Sequence, residues 1–134
     1  MTLEHYENGK QVSKNWDTVF KSLSTEPRRQ IIVSLLDAAP DQSVPLPESA
    51  AMPNLPLDAE ELRVELYHIH LPMLAENNFI TWETDPLVAS RGPRFDELAV
   101  VFDAIHSEAV SIPDSLTIGC QRLEQEQRGS GDRA

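Results

Sequence analysis

Cysteine, glycine and long apolar runs are all scarce in this sequence, and each scarcity excludes a class of protein. Cys120 is the only cysteine among 134 residues, so an internal disulfide is impossible. The 5 glycines do not form a phosphate-binding loop. No apolar run approaches the roughly 18 residues of a membrane span, and the N-terminal residues lack the apolar core of a signal peptide. We therefore expect a soluble, cytoplasmic protein that does not enter the membrane.

The side chains that carry catalysis or bind metals do not occur in a usable arrangement. On a helix, His68 and His70 point about 200° apart and cannot share a metal ion, so we expect a partly buried pair that hydrogen-bonds to the backbone. His5, His106 and Cys120 add no ligand spacing. No Ser/His/Asp or paired-carboxylate arrangement can be assigned. We expect neither an enzyme nor a cofactor or metal site.

Basic residues are few, and lysine is the scarcest of them. The chain has 22 acidic and 11 basic residues, a net charge of -11, and its only lysines are Lys10, Lys14 and Lys21. Acid excess with little lysine is typical of proteins that work in molar salt, where carboxylates keep the surface hydrated and their repulsion is screened. The composition thus favours a halophilic protein, with an ordinary acidic protein as the alternative.

The first third of the chain predicts a flexible arm followed by two helices. Residues 1–14 are polar and offer nothing to bury, which indicates an arm. A helix from about Asn15 to Leu23 follows, and a second one is predicted over 26–38, with Thr25 as its cap and Pro27 in its first turn. Each of the two helices has an apolar face: Trp16, Val19, Phe20 and Leu23 in the first, and Ile31, Ile32, Leu35 and Leu36 in the second.

The stretch from Glu60 to Ala89 organises the rest of the sequence. Its first part predicts a helix with two apolar faces: Leu62, Leu66, Ile69 and Met73 on one, and Val64, Tyr67, Leu71 and Leu74 on the other. A helix that is apolar on two sides is buried on two sides, so the first face is predicted to meet a partner. Pro72 predicts a kink. Asn78 suits a left-handed helix stop, and strands at 79–82 and 87–89 form a hairpin.

A family resemblance rests on the segments LSTEPRRQIIVSLLDAAP and HLPMLAENNFI. Both are similar to winged-helix repressors of the metal-sensor type. Closer still is a set of small haloarchaeal winged-helix domains of unassigned function. Their signature is complete here: His68, His70, Leu71, Pro72, Leu74 and Ala75. The resemblance covers about residues 16–90, and Asn77-Asn78 replace the Ala-Gly pair of the broad family.

This resemblance implies a mainly α fold with a small β-hairpin, that is, a winged helix-turn-helix with an added C-terminal helix. The expected divisions are a winged-helix domain over 15–92, a helical extension over 93–126 and a disordered tail over 127–134. The middle helix of the motif is expected at about Pro47 to Met52, inside a proline-rich stretch. The turn after it is longer than the 3–4 residues of a tight DNA-reading turn.

The predicted C-terminal helix, from about residue 93 to Val110, carries a heptad-like apolar seam: Phe95, Leu98, Phe102 and Ile105. The seam has two readings of equal weight. It caps the core of its own domain, or it packs against a symmetry mate in a homodimer, the commonest oligomer.

Two functions follow from the fold that the resemblance implies. The first is double-stranded DNA binding by a transcription regulator of a halophilic archaeon, with Arg63 and His70 reading bases. The arginines expected to hold phosphates are Arg28, Arg29, Arg91 and Arg94. The second is a winged-helix protein-interaction module without DNA binding. Two features of the long helix favour it: its polar strip is acidic, and the face that begins with Leu62 is apolar.

Overall fold

The computed structural model describes residues 3–51, 58–117 and 126. The chain is mainly helical and carries a small three-stranded antiparallel sheet. Its helices are α1 Leu3–Ser22, α2 Glu26–Asp37, α3 Ala59–Glu65, α4 Leu71–Glu76, α5 Phe95–Ser107 and α6 Asp114–Thr117. Its strands are β1 Val44–Pro45, β2 Ile80–Glu83 and β3 Val88–Arg91. Short 3₁₀ turns occupy Glu48–Ala50 and Ala109–Ser111, and a π-helical turn spans Leu66–His70.

The sheet has the strand order β1–β3–β2. The predicted hairpin is confirmed, since Ile80 pairs with Arg91 and Glu83 with Val88. Strand β1 was not predicted. It is only two residues long, too short for an alternating pattern, and it pairs with β3 at Val44↔Ala89. Backbone pairing continues at Leu46, whose N–H donates to the Leu87 carbonyl at 3.0 Å.

One apolar core lies between α2, the long helix made of α3, the π turn and α4, the sheet, and α5. Its fully buried large side chains include Ile31, Ile32, Leu35, Leu66, Leu71, Leu74, Phe79, Ile80, Phe95 and Leu98. Helix α2 begins at the predicted residue and ends one residue before the predicted end. Thr25 takes the N-cap position with an extended backbone, but its hydroxyl makes no capping hydrogen bond.

Helix α1 begins at Leu3 rather than Asn15, so the prediction of a flexible arm is corrected for residues 3–14. Residues 7–14 are exposed, which is why they show no apolar face in the sequence. A polar segment can nevertheless continue a helix whose later turns are anchored by Val19. The Gln11 side chain donates to Asn15 at 3.0 Å, an i,i+4 pair of the kind that stabilises an exposed helix.

The helix is irregular where Pro72 predicted it, since a π turn interrupts the α-helix immediately before this proline. The Leu71 N–H donates to the Leu66 carbonyl, five residues back, so the chain accommodates one extra residue per turn just ahead of the proline. Asp58 caps the start of the long helix, since its carboxylate accepts from the Glu60 N–H at 2.9 Å.

The predicted partner face of the long helix is wrong. Leu62 and Leu66 are buried in the core, and Met73 is half-buried, so only Ile69 of that face is exposed. The physical reason is the π turn, which takes more residues per turn than an α-helix. Residues after it therefore lie at other angles around the helix axis than regular α-helical spacing predicts. Val64, predicted on the opposite face, is exposed instead.

The apolar seam of α5 faces its own core. Phe95, Leu98 and Phe102 are buried there, and Ile105 alone of the four is exposed. The first reading, in which the seam caps the core of its own domain, is therefore confirmed for Phe95, Leu98 and Phe102. The predicted middle helix is reduced to the 3₁₀ turn at Glu48–Ala50, and Met52 lies outside the described residues. The predicted tail over 127–134 also lies outside them.

Asn78 has a φ of 63°, the left-handed conformation predicted for it. It ends the long helix, since its N–H donates to the Ala75 carbonyl at 3.0 Å. The following Phe79 N–H donates to the Leu74 carbonyl, also at 3.0 Å. The chain then turns directly into β2.

Candidate partner-binding surface

Arg28 was predicted to contact phosphate, but it is a buried structural residue. Its guanidinium donates to the Lys21 carbonyl at 2.9 Å and to the Ser22 carbonyl at 3.1 Å. It also donates to the Ser24 hydroxyl at 2.8 Å. The last carbonyls of a helix have no partner within the helix, and Arg28 supplies one for the end of α1.

His70 was predicted to read bases, but it is only 3% exposed and faces Arg28. The Arg28 Nη1 donates to the His70 Nδ1 at 2.9 Å. Because arginine has no acceptor, Nδ1 must be unprotonated, and the ring proton lies on Nε2, 3.4 Å from a Glu65 carboxylate oxygen. His70 thus bonds to side chains rather than to the backbone, while His68 is exposed.

The surroundings of His70 favour its neutral form. Burial lowers the pKa of this imidazole, and the Arg28 charge lowers it further, while the Glu65 carboxylate partly opposes both. Below the ordinary histidine pKa of 6.5, the unfolded chain binds a proton that the folded chain does not. Stability from this group is therefore present above that pH and is lost as the pH falls.

We expect the free energy of unfolding to decrease from pH 8 to pH 5 with a His70 contribution of at most about 1.4 kcal/mol per pH unit. Urea unfolding of wild type and His70→Gln at several pH values measures it. The His70→Gln protein should show a shallower pH dependence than wild type. If the free energy of unfolding depended on pH equally in wild type and His70→Gln, the pKa of His70 would be the same in the folded and unfolded chain, contrary to this expectation.

Arg29 and Arg91 also bond within the protein rather than standing free for phosphate. Arg29 donates to the Leu23 carbonyl at 2.6 Å and pairs with Glu26 at 2.8 Å. Arg91 donates to the Leu35 carbonyl at 2.8 Å, and its guanidinium lies 4.9 Å from the centre of the Phe95 ring. Each side chain therefore ties a helix end to another part of the fold.

Arg94 forms a two-pronged ion pair with Glu97 in the first turn of α5. The hydrogen bonds of this pair hold the pKa of Glu97 below its usual range. The guanidinium also lies 5.6 Å from the centre of the Phe79 ring and 3.3 Å from the Asn15 side-chain oxygen. Its charge is thus already matched by a carboxylate.

Of the six side chains predicted to contact DNA, all in the described part of the chain, Arg63 alone belongs to an exposed residue. Its guanidinium lies 6.0 Å from the centre of the Tyr67 ring. The fold brings Arg28 and His70 together, but as buried partners of each other. Arg91 and Arg94, the two arginines expected to hold phosphates from the wing, are half-buried and bond to groups of this chain.

Apart from Arg63 and His68, the exposed side chains of the long helix are acidic or aliphatic. We define the α3 surface by five exposed residues: Glu60, Glu61, Val64, Glu65 and Ile69. The first four line a shallow depression of about 410 Å³. Two exposed aliphatic side chains on a rim of carboxylates fit a partner that is apolar at its centre and basic around it.

A second exposed apolar region was missed by the sequence reasoning. Trp16 and Phe20 were assigned to the core-facing side of the first helix, but both are exposed and stack on each other at 5.7 Å. The i, i+4, i+8 spacing of Val12, Trp16 and Phe20 indicates an apolar stripe, but Val19 lies beside it on the same face, so the spacing does not show which of these residues stay exposed.

Comparison with known proteins adds no relative, since no family model, no curated protein and no solved structure matches this chain. Within residues 3–51 and 58–117, no helix combines the length and apolarity needed to cross a bilayer. Over the same described part, His, Cys, Asp and Glu side chains form no group of three that could hold a metal ion. Cys120 lies outside it.

Proposed function

We propose that this chain is a winged-helix domain that serves as a protein-interaction module. The order of its elements supports the winged helix: α2, β1, a short helical turn, the long helix, then β2 and β3 as the wing, in a sheet ordered β1–β3–β2. In such a domain the long helix is the recognition helix, and its exposed side meets the ligand. Here that exposed side is the α3 surface.

The observation that supports the proposal is that most of the candidate arginines already bond to groups of this chain. Arg28, Arg29, Arg91 and Arg94 bond to carbonyls or carboxylates of this chain. A DNA-binding surface needs several cations free to neutralise phosphates, because phosphate contacts provide much of the affinity. The α3 surface offers three carboxylates, which repel a phosphate backbone.

The same surface defines the chemistry of the partner. Val64 and Ile69 are more than half exposed and provide the apolar centre of a contact. The partner is expected to carry lysine or arginine around that centre, because these side chains complement the carboxylates of Glu60, Glu61 and Glu65. In concentrated salt the ionic part of this contact is screened, so the two aliphatic side chains supply most of the affinity there.

A matched pair of valines tests this proposal. Val64 on the α3 surface is 57% exposed, and Val110 in a distant 3₁₀ turn is 62% exposed. After cross-linking in cells of the source organism, the captured protein is purified and its Kd is measured against both variants. Val64→Lys should weaken binding about tenfold or more, about 1.4 kcal/mol, because it removes apolar contact and adds a charge that repels a basic rim.

In that experiment Val110→Lys should bind within about twofold of wild type, since an isolated surface substitution has a small effect. A captured protein that loses no affinity with Val64→Lys does not use this surface. An equal loss of affinity with Val110→Lys would mean that the effect is not specific to the α3 surface. Each of these two results would contradict the proposal.

DNA binding by the same helix is the second candidate function, and one observation favours it. Arg63 projects from the long helix, is exposed, and carries a guanidinium able to reach a guanine edge. A single cation among carboxylates gives little phosphate attraction, so we place this function second.

A further inference from the structure

One carboxylate of the α3 surface also contacts the buried interior of the protein. The Glu65 side chain is 52% exposed, yet its Oε1 lies 3.4 Å from the Nε2 of His70, whose side chain is only 4% exposed. The other nitrogen of this ring, Nδ1, accepts from the Nη1 of the buried Arg28 at 2.9 Å. These three side chains, which we call the Glu65–His70–Arg28 cluster, therefore connect the α3 surface to the core.

The π turn brings the first two members of the cluster together. Glu65 ends α3 and His70 ends the π turn, so the two residues are five positions apart. In a regular α-helix, residues five apart lie about 140° apart around the axis, and their side chains diverge. A π turn takes more residues per turn, which brings the fifth residue closer to the direction of the first. This rare geometry is frequent at functional sites, and here it joins a surface residue to a buried one.

Among the described residues, the charged groups that act on His70 are Glu65 of α3 and Arg28 of α2. The carboxylate favours the protonated ring, whereas the guanidinium and burial favour the neutral ring. The next charges outward are Arg29, which lies beside Arg28, and Glu26, which pairs with Arg29 at 2.8 Å. The end of α1 contributes backbone carbonyls, which accept from Arg28. The protonation of His70 is therefore set by its burial and by these two side chains.

A proton added to His70 makes its contact with Arg28 repulsive. The proton would occupy Nδ1, and two donors that both carry positive charge would then face each other at 2.9 Å. Arg28 is held by three further acceptors around the end of α1, so it is less able to move than the ring. The other side of the ring faces Glu65, whose half-exposed side chain is able to turn inward. The protonated ring therefore gains a charge-assisted hydrogen bond to Glu65 that is shorter than the present 3.4 Å contact.

The Glu65 carboxylate then has two competing uses. On the α3 surface it attracts lysine or arginine of a partner, while a protonated His70 neutralises the same carboxylate from within. We propose that protonation of His70 withdraws Glu65 from the α3 surface, so that this surface holds a basic partner more weakly as the pH falls. This regulation rests on the proposed function, since it acts on the same surface.

Reciprocity gives the direction of the pH effect. Because coupling between two sites is reciprocal, a basic partner that engages Glu65 must lower the pKa of His70. The complex then binds fewer protons than the two separate molecules. Affinity is therefore greatest above the pKa of His70 in the free chain, and it decreases as the pH falls through that value.

The probe for this coupling is a synthetic helical peptide of about 14 residues, with leucines on one face and lysines around them, which has the chemistry inferred for the partner. Calorimetric titration of the full chain measures the Kd of this peptide at pH 8 and at pH 5. The KCl concentration is the lowest at which circular dichroism shows every protein folded at both pH values. Wild type should bind the peptide about threefold or more weakly at pH 5 than at pH 8.

Two carboxylates of the α3 surface provide the matched comparison. Glu65→Gln removes the carboxylate that contacts His70, and Glu61→Gln removes an exposed one that does not act on His70. Each should weaken the peptide about twofold at pH 8, since each removes one exposed ion pair. Glu61→Gln should keep the loss at pH 5, whereas the Kd for Glu65→Gln should change less than about 1.5-fold. His70→Gln, whose amide offers an acceptor to Arg28 and a donor to Glu65, should also lose the pH dependence.

A titration of the histidine rings by nuclear magnetic resonance tests the cluster without any peptide. Glu65→Gln should lower the pKa of His70, because it removes the carboxylate that favours the proton. Three results would overturn this proposal and leave the proposed function standing. They are an unchanged His70 pKa in Glu65→Gln, a loss of affinity at pH 5 that persists in Glu65→Gln, and a wild-type Kd that is equal at both pH values although Val64→Lys weakens binding. If Val64→Lys did not weaken the peptide at pH 8, the proposed function itself would be contradicted, and this proposal with it.

Discussion

Replacing Gly92 with alanine is expected to lower the free energy of unfolding by about 3 kcal/mol, a large share of the stability of a domain this size. A Cβ at position 92 would lie 2.6 Å from the Asn78 carbonyl oxygen, 2.8 Å from the Ile80 nitrogen and 2.9 Å from the Phe79 carbonyl carbon. All three neighbours are backbone atoms, so no side chain can rotate away to make room.

The backbone around Gly92 is also held by hydrogen bonds that oppose a shift. The Gly92 N–H donates to the Phe79 carbonyl at 2.9 Å, and the Arg94 N–H donates to the Asn78 carbonyl at 2.8 Å. These bonds join the end of β3 to the point where the long helix becomes β2. A methyl group there forces apart the start of α5 and the hairpin.

Urea unfolding followed by circular dichroism measures the effect, and Gly9→Ala is the matched control. A Cβ at Gly9 meets nothing within 4 Å, and the residue lies inside α1. Alanine there should raise stability by about 0.5–1 kcal/mol, since glycine is a poor helix former. If Gly92→Ala changed stability by less than about 0.5 kcal/mol, the close packing at this junction would be wrong.

Arg28→Met is expected to lower the free energy of unfolding by about 3–4 kcal/mol. Methionine fills part of the space but donates no hydrogen bond, so the Ser22 carbonyl and the His70 Nδ1 lose their donor, and the Lys21 carbonyl keeps only its bonds from Ser24. Buried acceptors without donors cost the full desolvation penalty.

Two further variants interpret the Arg28 result. Arg28→Lys should recover less than half of the loss, because an ammonium cannot replace the planar fork that reaches several acceptors at once. Arg63→Met, at an exposed arginine of the long helix, should stay within about 0.5 kcal/mol of wild type. If Arg28→Met left the free energy of unfolding unchanged, the guanidinium would not be the structural centre of this cluster.

Features set by local sequence could be predicted. The start of α2 follows from Pro27, the start of α3 from the Asp58 cap, and the left-handed stop from Asn78. The hairpin follows from the point after the long helix at which the helical spacing of apolar residues ends and strand-forming residues begin. Each of these depends on neighbours within a few residues, where helix capping and backbone preference decide the conformation.

Features set by distant contacts could not be predicted. Adjacent Arg28 and Arg29 at the start of a helix look like a phosphate site, but the fold brings His70 to Arg28 from 42 residues away. Strand β1 exists because β3 offers it a partner. The π turn changed which residues of the long helix are buried, and Pro72 indicated an irregular helix there without indicating a π turn.

The exposed apolar residues illustrate the same limit. Trp16 and Phe20 share a helical face with Val19 in the sequence, but only Val19 reaches the core. Periodicity shows which residues lie on one side of a helix, whereas burial depends on the width of the surface that the neighbouring elements cover. The groove that α1 and α5 line together is visible only once α5 is placed beside α1.

The central claim is that the long helix meets a protein rather than a DNA groove, and a duplex titration tests it most directly. Fluorescence anisotropy of a labelled duplex of about 30 base pairs is followed at the lowest KCl that keeps the protein folded, where phosphate attraction is strongest. We predict no saturable binding for wild type, and none for Arg63→Gln. Saturable binding that falls steeply as KCl rises and disappears with Arg63→Gln would contradict the claim.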